Sequence, residues 1–264
     1  MTTNVRFIWD NLADTATATA DEEAGTLLIG NTQEDEKAAV WRSTTDGSQD
    51  IDYRWSAAQD IDSICFAWTN FTSAATIIVY GYSTEAGDTD LVFTSATTSP
   101  DTGLTIGNVT AQVWLTTNYS TIKHIRITIA DAANPDGYLE VSRVCIGKRI
   151  EPVVNANQNG FTIGWKEQTR PVRAESLDLR VEPLGRYRWM RLNLTQLEAA
   201  SRDLIVDMVA AGLGRGVWVS AFPEHSGAST RQLHSFWGAL VQDVDMGYPN
   251  LDTWSAPLVF EEMA

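Results

Sequence analysis

Over the first 150 residues apolar side chains recur at every second position in short stretches, the period of half-buried β-strands rather than of helices. In His124-Ile125-Arg126-Ile127-Thr128-Ile129 the isoleucines take alternate positions and polar residues the others. Comparable stretches at 5–9, 40–43, 51–55, 63–69, 76–82, 91–94, 109–115, 124–129 and 138–146 predict a series of short strands. Turn-forming clusters punctuate them, among them Thr44-Thr45-Asp46-Gly47, Glu85-Ala86-Gly87-Asp88, Ser99-Pro100-Asp101-Thr102-Gly103 and Asn134-Pro135-Asp136-Gly137. No helical period intervenes, so the pattern is that of a β-sandwich. Within 138–146, Leu139, Val141 and Arg143 fall on one face against Glu140, Ser142 and Val144. The second half of that strand is apolar on both faces, as in a central strand.

The pattern breaks at 150–160, where Glu151-Pro152 and the run Asn155-Ala156-Asn157-Gln158-Asn159-Gly160 form the best linker in the chain. Strands are expected again at 161–168 and 187–194. Thr195-Gln196-Leu197-Glu198 then has the spacing of a capping box, with Leu197, Ser201, Leu204, Met208 and Ala211 on one helical face and Gly212 as the stop. These signals predict one helix at about 195–211. Strands follow at 216–222, 235–244 and 254–262, with a polar loop at 224–230. The expected architecture is mainly β: a jelly-roll sandwich over 1–150, then a smaller β-sandwich or barrel over 151–264 with one packed helix.

Composition narrows the function. The 264 residues are 44% apolar with ten Trp and carry a net charge of −15, which speaks against a nucleic-acid or anionic-membrane surface. No stretch reaches the length and apolarity of a membrane span, and the first residues show no basic segment followed by an apolar one. The acid is uneven: residues 1–150 hold nine basic and twenty acidic side chains, a net of −11, against −4 for the remainder. Between 166 and 191 the chain is locally basic, with Arg170, Arg173, Arg180, Arg186 and Arg188. That strip reads either as a contact surface for an acidic partner or as a well-solvated hairpin.

Residues for chemistry are sparse. His124, His225 and His234 have no metal-ligand partner at helical or turn spacing, and no Gly-x-Ser-x-Gly supports a hydrolytic triad. Gly212-Leu213-Gly214-Arg215-Gly216 follows a helix and precedes a strand, the reverse of a dinucleotide loop. The acidic clusters Asp21-Glu22-Glu23 and Glu34-Asp35-Glu36 lack the calcium-loop spacing and read as solvated turns. Cys65 and Cys145, 80 residues apart, read as two buried thiols, with a core disulfide as the alternative. The expectation is a protein with no catalytic residues, metal or cofactor. Trp9, Trp41 and Trp254, near strand ends, are the candidate platforms for stacking on a sugar ring.

Two stretches resemble a known family. Val40-Trp41-Arg42-Ser43 with Tyr138-Leu139-Glu140-Val141-Ser142-Arg143-Val144-Cys145-Ile146-Gly147-Lys148 resembles the discoidin-like (galactose-binding-like) jelly rolls of long-tailed bacteriophage tail proteins. Ser235-Phe236-Trp237-Gly238-Ala239-Leu240, with Asp252-Thr253-Trp254-Ser255-Ala256-Pro257-Leu258-Val259-Phe260-Glu261-Glu262, is similar to the last strands of tail-tip ring proteins with a tail-tube-like fold. The resemblance implies a distal tail or baseplate protein of the virion, assembled in the host cytoplasm. It would form a homo-oligomeric ring, of six or three copies, between the tail tube and the hub or receptor-binding proteins. In such a ring the arginine strip supplies the assembly contact. The domain order here is the reverse of the usual one in that family. The alternative function is a carbohydrate-binding module for host-surface glycans.

Overall fold

The computed structural model describes residues 4–87, 89–156, 160–167, 170–173, 179–182, 185–211, 214–242, 244–250 and 253–263. Gly212, named above as the helix stop, and Asn157-Gln158-Asn159 of the linker lie outside them. The chain divides into two compact units, Met1–Pro152 with Gly216–Trp237, and Val153–Arg215 with Gly238–Ala264. The fold is mainly β, with antiparallel pairing throughout the described strands.

The strands of the first unit are β1 (Arg6–Ile8), β2 (Thr17–Ala20), β3 (Trp41–Arg42), β4 (Gln49–Thr69), β5 (Thr76–Tyr82), β6 (Leu91–Thr94), β7 (Val109–Ala130) and β8 (Glu140–Gly147). Four of the expected short strands have fused: 51–55 with 63–69 as β4, and 109–115 with 124–129 as β7. The polar stretches between them, which resemble turns in the sequence, are bulges. Arg54 pairs with His124 and Gln59 with Ile122, so four residues of β4 oppose one of β7; Ile61 pairs with Tyr119 and Ser63 with Trp114, so four residues of β7 oppose one of β4. Extra residues on one strand bend the pair and increase its twist. The bent ribbon therefore builds both layers of the sandwich. The first half of β4 and second half of β7 join β2, β5 and β6, and the remaining halves join β8 and β3. One continuous core fills the space between, including Ile51, Tyr53, Ile125, Ile127 and Ile129 from one layer and Ile64, Phe66, Val113, Val144 and Ile146 from the other.

The face of β7 and β8 turned away from that core is also covered. The stretch Gly216–Trp237 returns to the first unit as a strand (Gly216–Ser220), paired with β1, and a short helix (Ala228–Leu233), followed by the start of a strand, Ser235–Leu240. All five residues of the strand Gly216–Ser220 are buried. Buried polar contacts fix the stretch: Gln112 Nε2 donates to Asp101 and to Ser235 Oγ, the Arg231 guanidinium donates to Asp101 at 2.6 Å, and Gln232 Nε2 donates to the carbonyls of Leu104 and Asn108. Arg143, expected to point inward with Leu139 and Val141, is buried. Its guanidinium lies 4.5 Å from the Trp237 ring centroid and is paired with Asp14 and Asp35.

In the second unit, α1 (Ala199–Ala210) is the expected helix with a later start. Thr195–Leu197 stay in the strand Arg186–Leu197 because Leu197 is still paired with Trp254, and Glu198 stands at the N-cap without a side-chain hydrogen bond. The capping box is therefore not formed. The buried face of the helix is Ser201, Ile205 and Met208, and Leu204 is exposed. The helix Ala228–Leu233 of the first unit, which was not expected, occupies the end of the 224–230 loop.

At the centre of the first layer Asp52 accepts from His124 at 2.6 Å and from Arg126 at 2.9 Å, and pairs with Arg54. The burial of Asp52 opposes its ionisation, yet these partners outweigh it and hold the carboxyl at about 2 against an ordinary value of 3.8. A depressed folded-state value stabilises the fold above pH 4 and is lost as pH falls from about 4 to 2. Asp52→Asn is expected to cost about 2 kcal/mol at pH 7 and to converge on the parent near pH 2, as read by urea unfolding over a pH series.

Candidate functional site

The bulge in β7 opens a cleft on the first unit. It is lined by Phe93, Thr94, Ser95, Ala96, Thr98, Val113, Trp114, Leu115, Thr116 and Tyr119 and encloses about 200 Å³. Its two principal aromatic walls, Trp114 and Tyr119, are the residues that flank the four bulged positions. The opposite wall is edge strand β6 and the segment after it. That segment is held to β5 by the paired backbone bonds of Ile77 and Thr98 and by the Ser95 amide on the Val79 carbonyl.

A glycine sets the floor. Gly81 pairs directly with Phe93 across β5 and β6, and a Cβ at position 81 would stand 2.1 Å from the Phe93 ring. The Phe93 ring lies over the bare glycine backbone, and Tyr119 stacks on Phe93 with centroids 4.6 Å apart and planes inclined by 22°. Phe93 is buried by this, whereas Tyr119 is only half-buried and keeps surface toward the cleft. The polar groups are hydroxyls from Thr94, Ser95, Thr98 and Thr116; the Trp114 indole N–H is buried, with no hydrogen-bond partner among the described residues. Among the described residues, no acidic or basic side chain lines the cleft. Such a surface can stack on an apolar ring face and exchange hydrogen bonds with neutral hydroxyls.

The sequence-selected tryptophans lie elsewhere. Trp41 is fully buried, its indole N–H donating to the Glu22 carbonyl, so it offers no face to a sugar. Trp9 is half-buried. Trp254, in the second unit, has the Arg202 guanidinium 4.3 Å from its ring centroid and the Tyr248 ring edge-on at 5.5 Å. Trp9 and Trp41 belong to the first unit and Trp254 to the second. Of the strip arginines, Arg170 and Arg173 lie on one strand and Arg180 on the next of a hairpin, Arg170–Arg173 paired with Leu179–Glu182, whose side chains lie outside what is described. Arg186 is exposed, 5.1 Å from the Trp165 ring. Arg188 is corrected from surface to interior. It is buried, and its Nε and Nη2 form a fork on the Glu262 carboxylate at 2.9 and 2.6 Å, which leaves it nothing to offer a neighbouring copy. Its parity with the buried Met190, Leu192 and Leu194 was the sequence signal for that placement.

No protein-family model matches the chain, and no curated protein matches it. Solved structures do. A GH29 fucosidase of Ruminococcus gnavus in complex with fucose is 19% identical over 52% of this chain and 26% of its own, with a TM-score of 0.38. This chain thus spans about a quarter of that enzyme. The chitosan-binding module 1 of a Paenibacillus sp. IK-5 chitosanase/glucanase is 17% identical, covering 52% of this chain and 98% of its own, with a TM-score of 0.40. The family 32 carbohydrate-binding module of C. perfringens NanJ, in complex with galactose, is 15% identical over 52% of this chain and 96% of its own, with a TM-score of 0.39. Carbohydrate-binding modules are thus among the structures similar to this chain, at values that assign it no ligand. None of these three is a tail protein.

Two substitutions test this geometry. Gly81→Ala is expected to displace Phe93 and unstack Tyr119 at a cost of about 1–3 kcal/mol, read as a lower thermal midpoint with loss of near-ultraviolet aromatic dichroism. Arg188→Met should cost about 3 kcal/mol by stranding the buried Glu262, and Arg188→Met with Glu262→Leu should recover most of it in the same thermal scan.

Proposed function

We propose that this chain is a carbohydrate-binding protein and that the cleft between β6 and the bulge of β7 is the seat for one neutral sugar ring. The observation that carries this is the combination at one place of a half-exposed Tyr119 on a buried aromatic base and hydroxyls from Thr94, Ser95, Thr98 and Thr116. The cleft volume of about 200 Å³ lies below the range of roughly 300–1,000 Å³ usual for drug-sized ligands. It matches one ring or a chain end rather than a long segment.

Charge sets the class of sugar. With no cationic side chain in the cleft and a net of −11 over residues 1–150, a sialylated or sulfated glycan would meet repulsion without a compensating partner. Neutral hexoses would not. Binding, rather than turnover, is the role this lining favours, because it presents no carboxylate pair to act as acid and base.

Calorimetric titration with a panel of neutral and sialylated oligosaccharides is the test. At least one neutral ligand is expected to bind, with Tyr119→Ala weakening it tenfold or more at a temperature where the variant is folded by its far-ultraviolet dichroism. Absence of binding across the neutral panel, or unchanged affinity in Tyr119→Ala, would overturn the proposal.

A further inference from the structure

Cys65 and Cys145 stand directly opposite each other on β4 and β8, both free and both buried. Residues paired in this way project to the same face of a sheet. Their neighbours on the two strands, Ile64, Phe66, Val144 and Ile146, belong to the sandwich core, and the two cysteines do not. The thiols therefore share the other face of the layer.

Backbone orientation fixes the kind of pair. On β8, Val144 and Ile146 turn their polar groups away from β4: the Asn11 side-chain amide donates to the Val144 carbonyl and its oxygen accepts the Ile146 N–H. Successive residues of a strand point these groups to opposite edges, so the N–H and C=O of Cys145 face β4. Cys65 and Cys145 thus occupy a hydrogen-bonded antiparallel position, with Cα atoms about 5.5 Å apart. That separation falls within the roughly 4.4–6.8 Å that disulfides span, and the Cβ atoms, about 5.5 Å apart at such a position, must close to about 4 Å as the bond forms.

We infer that Cys65 and Cys145 form a site for an intramolecular disulfide that staples β4 to β8 when the chain folds under oxidising conditions. With a low-molecular-weight disulfide as the oxidant, one thiol loses its proton and attacks a sulfur of that disulfide, releasing one small thiolate and leaving a mixed disulfide. The second thiol, once deprotonated, attacks the protein sulfur of that bond and expels the other small thiolate. Two protein S–H bonds are replaced by one S–S bond, and the small disulfide is reduced to two thiols. Burial pushes both thiols up from their ordinary range, so neither forms a ready thiolate in the native state. Closure therefore belongs to folding, while the strands are still accessible, and the finished bond is then shielded from exchange. An hydrogen-bonded cross-strand bridge spans the β4–β8 pairing itself, closing a loop of about 80 residues, and chain-entropy arguments give it a stabilising effect.

The test is to unfold the full chain in denaturant and refold it at equilibrium in a buffer of oxidised and reduced glutathione. Free thiols are then blocked under denaturing conditions and the mass measured. The expected product is a monomer lighter by two hydrogens that takes up no blocking reagent and unfolds at a higher denaturant concentration than its reduced form. Cys145→Ser, treated identically, should give no such species. Folded protein with two blockable thiols at an oxidising poise, or oxidised protein that unfolds more readily than the reduced form, would overturn the inference.

Discussion

The pairing of β4 with β7 is the constraint on which the rest of the first unit depends. Strands of 21 and 22 residues cannot stay straight inside a small domain. Four residues set against one, first on β4 and then on β7, let the same two strands enter both layers. That bend gives the core its two walls, brings Asp52 to His124 and Arg126 in one layer, and leaves Trp114 and Tyr119 at the lip of a cleft in the other.

The outward face of the sandwich shows a second dependence. Gln112 and Arg143 sit in strands otherwise rich in apolar residues, and each would be costly to bury alone. The returning stretch Gly216–Trp237 supplies Ser235, Arg231 and Trp237 to that face, and Asp101, Asp14 and Asp35 complete the pairing. A stretch more than 60 residues beyond the end of β8 is therefore part of the first unit's interior. Deep burial of polar groups is here a matter of specificity, since every one of these contacts selects one docking of the stretch.

Much of this was legible in the chain. Two-residue alternation located the strands, and the parity of Arg188 with Met190 and Leu192 carried a burial signal that the local run of arginines masked. The fused strands were not legible, because bulged residues such as Thr116-Thr117-Asn118 have the composition of a turn and differ from one only in long-range pairing. Trp41 looked peripheral because it stands near the end of the strand expected at 40–43, yet it is fully buried. The helix started late because pairing of Leu197 with Trp254 outweighed a favourable cap. The cleft escaped notice since its walls come from β6 and β7, more than a dozen residues apart, and contain Thr, Ser and Tyr in no motif. Gly81 inside an otherwise strong strand was the one sequence signal, a bare position that implied a large ring packed across it.

The central claim is that a neutral sugar seats against Tyr119 in the cleft between β6 and β7. The most direct measurement is two-dimensional nitrogen–proton NMR of the full chain, with its backbone amides assigned, during titration with a neutral saccharide that binds. The account predicts that the amides of 93–98 and 113–119 shift together. Shifts confined to other residues, with these two segments unmoved at saturation, would contradict it.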